Sequence, residues 1–159
     1  MASTYEPIAT YTTGAVSDLT FTSFSGYTDL ILIATAARGI TGSGAADFNM
    51  TFNGDTGSNY SVTLLYEGGS TRSANRANFN WMGAVGDGNF LQSIVHIMNY
   101  ANTTTYKTAL GRWGSPVDGN SRASVGMWRN TAAITSITIT PTNGIASGSK
   151  FTLYGIKAA

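Results

Sequence analysis

Apolar residues recur along this chain in short runs, alternating with polar ones and bounded by clusters of Gly, Ser, Asn and Asp. A period of two marks a strand with one buried face, and turn clusters at regular short spacing mark a sandwich or barrel. The pattern predicts ten strands: Pro7–Thr13, Leu19–Phe24, Asp29–Ala37, Asp47–Phe52, Ser61–Tyr66, Phe90–Tyr100, Thr105–Trp113, Arg122–Arg129, Ile134–Thr140 and Lys150–Lys157. No segment carries a convincing helical period, although "SVTLLYEGG" (61–69) also fits one or two helical turns.

Three of these segments say more. "DLILIATAA" (29–37) and "SIVHIMNY" (93–100) are apolar on both faces, as central strands are. In the second, Ile94, His96, Met98 and Tyr100 should point one way and Val95, Ile97 and Asn99 the other. In "ITSITIT" (134–140), Ile137 and Ile139 should face inward and Ser136, Thr138 and Thr140 outward; Pro141 lacks the N–H needed to continue the ladder. The loop after it and the return strand at "KFTLYGI" predict a C-terminal hairpin. Between Gly68 and Asn89 the chain is mostly Gly, Ser, Asn and Ala, which predicts a long irregular connection.

Composition narrows the function classes. The length of 159 residues fits one domain with a core of its own and a short N-terminal arm at residues 1–5. There is no cysteine, so disulfides, zinc–thiolate sites and thiol nucleophiles are excluded. Only 11% of residues are charged and the net charge is +1, whereas nucleic-acid binding needs a basic excess. No apolar run approaches the ~20 residues of a membrane span, and the start "MASTYEPIAT" lacks the features of a signal peptide. The expected setting is a cytoplasm, or a particle assembled there, with no nucleic-acid or membrane partner.

The stretch "FNGDTGSNYS" (52–61) has the look of an ion or phosphate loop. An EF-hand counted from Asn53 would need ligands at the fifth and twelfth positions, where Gly57 and Leu64 stand. The GK[ST] element of a phosphate loop is missing. The favoured reading is a turn in which Asn53-Gly54 and Thr56-Gly57 supply positive φ and Asp55 bonds nearby N–H groups. Calcium held by Asp47, Asp55 and carbonyls is the weaker alternative. His96, the only histidine, lies mid-strand in an apolar segment and reads as a core or interface residue. The eight carboxylates fall mostly at turns and strand ends, where a glycosidase pair on facing strands is not expected. No catalytic residue, metal site or cofactor is therefore predicted. Trp81 and Met82 sit in an apparently polar loop, and "GMWRN" (126–130) sets Trp128 beside Arg129. Aromatic and Arg side chains are enriched at interfaces, which favours subunit contact over sugar stacking.

Taken together, "FNGDTGSNYS", "HIMNYANTTTYKTALGRW" (96–113) and "SITITPTNGIASGSKFTLYGI" (136–156) resemble a family of phage and marine-virus structural proteins. The resemblance runs from about Asp29 to Ile156 and rests on packing and turn signatures, so it carries over no catalytic residues. It implies a jelly-roll β-sandwich of about eight to ten antiparallel strands. It also implies a virion role, first as a capsid decoration (cement) protein on the capsid surface, bound to the major capsid protein and assembled as a homotrimer. The alternative is a tail-fibre tip or carbohydrate-binding module that recognises host glycans. Expected contact residues are Ala2, Ser3, Thr4 and Tyr5 of the N-terminal arm, Trp81 and Met82 in the 70–89 connection, and Trp128 and Arg129.

Overall fold

The computed structural model describes residues 4–12, 14–39, 46–66, 72–78, 80–85, 88–114 and 121–157. They form an all-β sandwich of two antiparallel sheets. The larger has eight strands in the order β1 (Tyr5–Thr12), β12 (Lys150–Ile156), β3 (Asp29–Ala36), β8 (Leu91–Met98), β9 (Lys107–Gly114), β10 (Ser121–Trp128), β5 (Tyr60–Tyr66) and β6 (Arg72–Ala77). The smaller has four, in the order β2 (Leu19–Thr22), β11 (Ser136–Pro141), β4 (Ala46–Phe52) and β7 (Asn80–Val85).

Alternation sets the inward faces. Leu30, Leu32, Ala34 and Ala36 of β3 are buried, as are Leu91, Val95 and Ile97 of β8 and, as expected, Ile137 and Ile139 of β11. The main core gathers Phe21, Phe48, Phe52, Tyr60, Trp128 and Phe151 with the aliphatic residues around them. A smaller cluster of Val62, Leu64, Ala84, Leu91 and Trp113 lies beside it. Between the two runs a seam of small residues, where β7 presses against the large sheet. A Cβ on Gly111 would run into the backbone carbonyl of Met82, and one on Gly126 would stand 2.6 Å from Met82 Cε and 2.7 Å from Asn80 Oδ1. Only glycine permits so close an approach.

Each of the ten expected segments is a strand, including 61–66, where no helix forms. Four expectations need correction. The 68–89 region is not a long irregular connection, because β6 and β7 lie within it. Their sequences, "RSANRA" and "NWMGAV", alternate too weakly to read as strands, and pairing with β5 and β4 decides their state instead. The C-terminal hairpin does not form: β11 belongs to the small sheet and β12 to the large one, so the loop between them crosses the sandwich. Bridges from Ile145 to Val16 and Arg38 hold that crossing, which turns through positive φ at Asn143, Gly144 and Gly148. Tyr100 does not continue the outward row of β8. Asn99 takes a φ of 50° and breaks the alternation, so Tyr100 turns into the core against Phe24. Asn53 and Gly54 do have positive φ, but Gly57 does not.

Candidate functional site: the outer face of the large sheet

The two sheets show solvent very different faces. On the small sheet the outward positions are Thr20, Thr22, Ser136, Thr138, Thr140, Asn49 and Thr51, and the hydroxyls of Thr20 and Thr138 bond across strands at 2.9 Å. That is the ordinary pattern of an antiparallel sheet wetted on one side. On the large sheet Ile33, Leu65, Leu110, Val125 and Met127 face outward, each more than a third exposed, with Ile31, Ile94 and Met98 partly covered among them.

Strand register makes these residues one surface. Ile33 lies opposite Ile94, and Ile94 opposite Arg112. Leu110 lies between His96 and Val125, and Ala123 is opposite Leu65. Two shallow grooves cross the patch and share Ile94 and Arg112. One, of about 390 Å³, opens where Gly114 leaves a gap between Gln92 and Ser121; the other, of about 280 Å³, lies between His96, Leu110, Ala123 and Val125. Arg112 is exposed and has no ion-pair or hydrogen-bond partner among the described residues.

Inside the patch, between Ile31 and Leu110, His96 Nε2 meets Asp29 Oδ2 at 2.8 Å, and Asp29 Oδ1 accepts the Asn99 N–H at 2.6 Å. His96 is thus no core residue but one of a polar pair set into an apolar face. Sequence reading missed this partner because 67 residues separate the two. Among the described residues no serine, threonine or tyrosine hydroxyl bonds His96, so a nucleophile–base–carboxylate chain is not assembled there.

The 52–61 loop is bound tightly to the protein itself. Asp55 accepts hydrogen bonds from Trp128 Nε1 (2.7 Å), Asn59 Nδ2 (2.9 Å) and the Gly57 N–H (2.9 Å). Burial works to raise its pKa, but these donors, Trp128 first, outweigh it and hold the carboxyl below its ordinary value. Asn53 Oδ1 accepts from the N–H groups of Thr135 (2.7 Å) and Ser136 (3.1 Å), while its Nδ2 donates to the Ala133 carbonyl (2.8 Å). Behind the loop, the Tyr60 hydroxyl donates to the Asp55 carbonyl at 3.0 Å and accepts the Phe52 N–H at 2.9 Å. Burial pushes the Tyr60 phenol up to about 12; the Phe52 bond opposes this shift and the Asp55 charge adds to it. Asp47, the other calcium candidate, faces Arg122 at 3.6 Å; burial raises its carboxyl, and the arginine only partly offsets this. Among the described residues, no three His, Asp or Glu side chains gather where they could hold a metal ion.

The expected contact residues scatter. Ala2 and Ser3 lie outside the described residues, while Thr4 and Tyr5 are exposed at the start of β1. Met82 and Trp128 are buried in the main core, which removes both as contact residues: Met82 is an inward position of a strand rather than of a loop. Trp128 stacks on Tyr60 with ring centroids 6.5 Å apart. Arg129 is half-buried and donates to the Ser58 carbonyl, so it braces the 52–61 loop. Trp81 lies in β7, with its side chain outside the described ones. The apolar face was legible only in part: both-face apolarity in 29–37 and 93–100 signalled central strands and gave no hint that the second face stays open.

No protein-family model matches the chain, and no curated protein matches its sequence.

Proposed function

We propose that the protein is a structural component of a virus particle, a capsid decoration protein that binds and stabilises the major capsid shell. The observation that carries this reading is the outer face of the large sheet, which is apolar where a solvated sheet would be polar. Extended exposed apolar surface marks an interaction site. The fold around it suits a mechanical part. Its 52–61 and 99–105 loops are braced by their own side chains, and its broad faces offer area rather than a cleft.

The connectivity supports the same reading. With the β5–β6 and β9–β10 pairs set aside, the other eight strands stand in the orders 1-12-3-8 and 2-11-4-7. We read this as jelly-roll winding with two strand pairs inserted at one side of the larger sheet. The resemblance to phage and marine-virus structural proteins supplies the setting, which the fold alone does not specify.

The test is reconstitution. Purified protein added to shells that lack it should bind in saturating, stoichiometric amounts and raise their resistance to heat. Failure to bind such shells would sink the decoration role. Glycan binding without shell binding would favour the fibre-tip alternative, which has already lost Trp128 as a stacking residue.

A further inference from the structure

We infer that the outer face of the eight-stranded sheet is closed by the same face of a second copy of this chain, in a two-fold contact that sets Arg112 of each copy against Asp29 of the other. The inference deepens the virion reading: the apolar face that marks the chain as an assembling part is closed by a second copy, so a shell would be met by the surfaces left outside the dimer. It is read on purified protein without any particle, and its failure leaves the shell-binding test standing.

Three observations select a second copy as the occupant. The first is size. Eight strands about 4.8 Å apart and roughly 25 Å long present a face of about 900 Å², close to the ~800 Å² per partner of a standard specific interface. The apolar residues occupy its middle strands, from β3 to β5, with His96 and Arg112 set among them and polar positions such as Gln92, Ser121 and Lys150 around them. An apolar centre within a polar rim is the anatomy of an interface.

The second is charge. The chain carries a net +1 with 11% charged residues, so no strong field of one sign keeps copies apart. Burying Arg112 without a counter-charge would be costly, so whatever covers the face must bring a carboxylate. The face itself has one, Asp29. His96 and the Asn99 N–H occupy one site on each of its oxygens. A carboxylate offers about four acceptor sites, so room for a guanidinium remains.

The third is placement. Two strands and four residues of register separate Asp29 from Arg112, which puts them about 16 Å apart on the same face. A two-fold axis lying in the interface, at right angles to that diagonal, exchanges the two positions and so makes two ion pairs at once. At the midpoint between them lies His96, ringed by Ile31, Leu110, Ile94 and Met98. The axis then sets the two His96 rings against each other, with Ile31 packing near Ile94 and Leu110 near Met98 of the other copy. Such a contact is isologous and closes on itself.

Analytical ultracentrifugation across a concentration series tests this. The wild type should sediment as a dimer, and Leu110→Lys and Val125→Lys should shift it to monomer with an unchanged circular dichroism spectrum. Thr138→Lys, on the small sheet, should leave the dimer intact. The absence of native cysteine allows a second measurement that does not rely on disruptive variants. In the dimer, Leu110→Cys should react with a thiol reagent at least about tenfold more slowly than Thr138→Cys, and the gap should close on dilution. A monomer at roughly 100 μM, a dimer unmoved by Leu110→Lys, or an oligomer of any size in which the two cysteines react alike would overturn the inference.

Discussion

The main core and the small cluster beside it share one pair of sheets but are finished differently. Around the main core most polar groups that burial would orphan find partners, Arg129 Nε being an exception among the described residues. Tyr60, Asp55 and Trp128 bond one another and the backbone, and Lys107, itself buried, donates to the carbonyls of Thr105 (2.8 Å) and Thr131 (3.1 Å). Across the seam and in the small cluster, Trp113 Nε1, Ser124 Oγ and both amide atoms of Asn80 are buried with no protein partner among the described residues. Each such group costs free energy that a satisfied one does not. The difference teaches that stability is unevenly spread: the end around Trp128 holds by packing and a dense set of hydrogen bonds together, the end around Trp113 mainly by packing, with buried Ser93 bonding the Ala84 backbone.

That contrast can be broken by measurement, most severely in its two cores. Trp128→Ala removes a fully buried ring and the donor of Asp55, and should cost about 3–5 kcal/mol by urea unfolding. Leu64→Ala in the small cluster should cost less, about 2–3 kcal/mol, near the lower end for buried leucines. Equal costs would erase the distinction between the two ends.

Alkaline titration should show the next largest effect. The Tyr60 phenol titrates near 12 when folded and near 10 when unfolded. Below pH 10 both forms keep the proton and Tyr60 contributes no pH dependence. Above it the unfolded state releases the proton first, so stability should fall by about 1.4 kcal/mol per pH unit towards pH 12. Tyr60→Phe should remove that slope, while losing hydrogen bonds at all pH values. A slope unchanged by the substitution would place its origin elsewhere.

Asp55→Asn should cost about 1–2 kcal/mol at neutral pH, because the amide turns a donor group towards donors. The carboxyl titrates below its ordinary range when folded, so its contribution is complete above the unfolded pKa and fades as pH falls through the folded one. The gap between wild type and variant should therefore narrow in acid; a constant gap would mean that charge plays no part. At the small end of the scale, Ser124→Ala removes a hydroxyl that bonds no protein group among the described residues and should leave stability unchanged or raise it, by up to about 1 kcal/mol. A loss above about 1 kcal/mol would show that this hydroxyl is satisfied after all, and the contrast between the two ends would shrink with it.

Sequence alone revealed the class of fold because ten strands carry their own period-two pattern. It hid β6, whose side chains are small or polar, and β7, whose large residues Trp81 and Met82 stand side by side without a clear alternation; the strand state of both comes from the neighbours they pair with. It hid the parity change at Tyr100, since a single left-handed Asn99 leaves no mark on a hydrophobicity pattern. It joined β11 to β12 as a hairpin because chain proximity is the usual guide to pairing, and here the intervening loop changes sheets. Of the candidate face, the apolar letters were visible in 29–37 and 93–100. Their exposure was not, because whether anything covers a sheet depends on the whole fold. Asp29 and His96 needed the register of β3 on β8 to meet.

The order of strands has a consequence in time. The last two strands in chain order do not sit at the margins: β12 lies between β1 and β3, and β11 between β2 and β4. Each sheet thus keeps a vacancy in its interior until the final stretch of polypeptide arrives, and β1 and β2 have no native neighbour to zip onto before then. A ribosome releasing this chain from its beginning therefore delivers the closing pieces last. Productive folding should wait until β11 and β12 have emerged and proceed slowly, as it does where native pairings span most of the sequence.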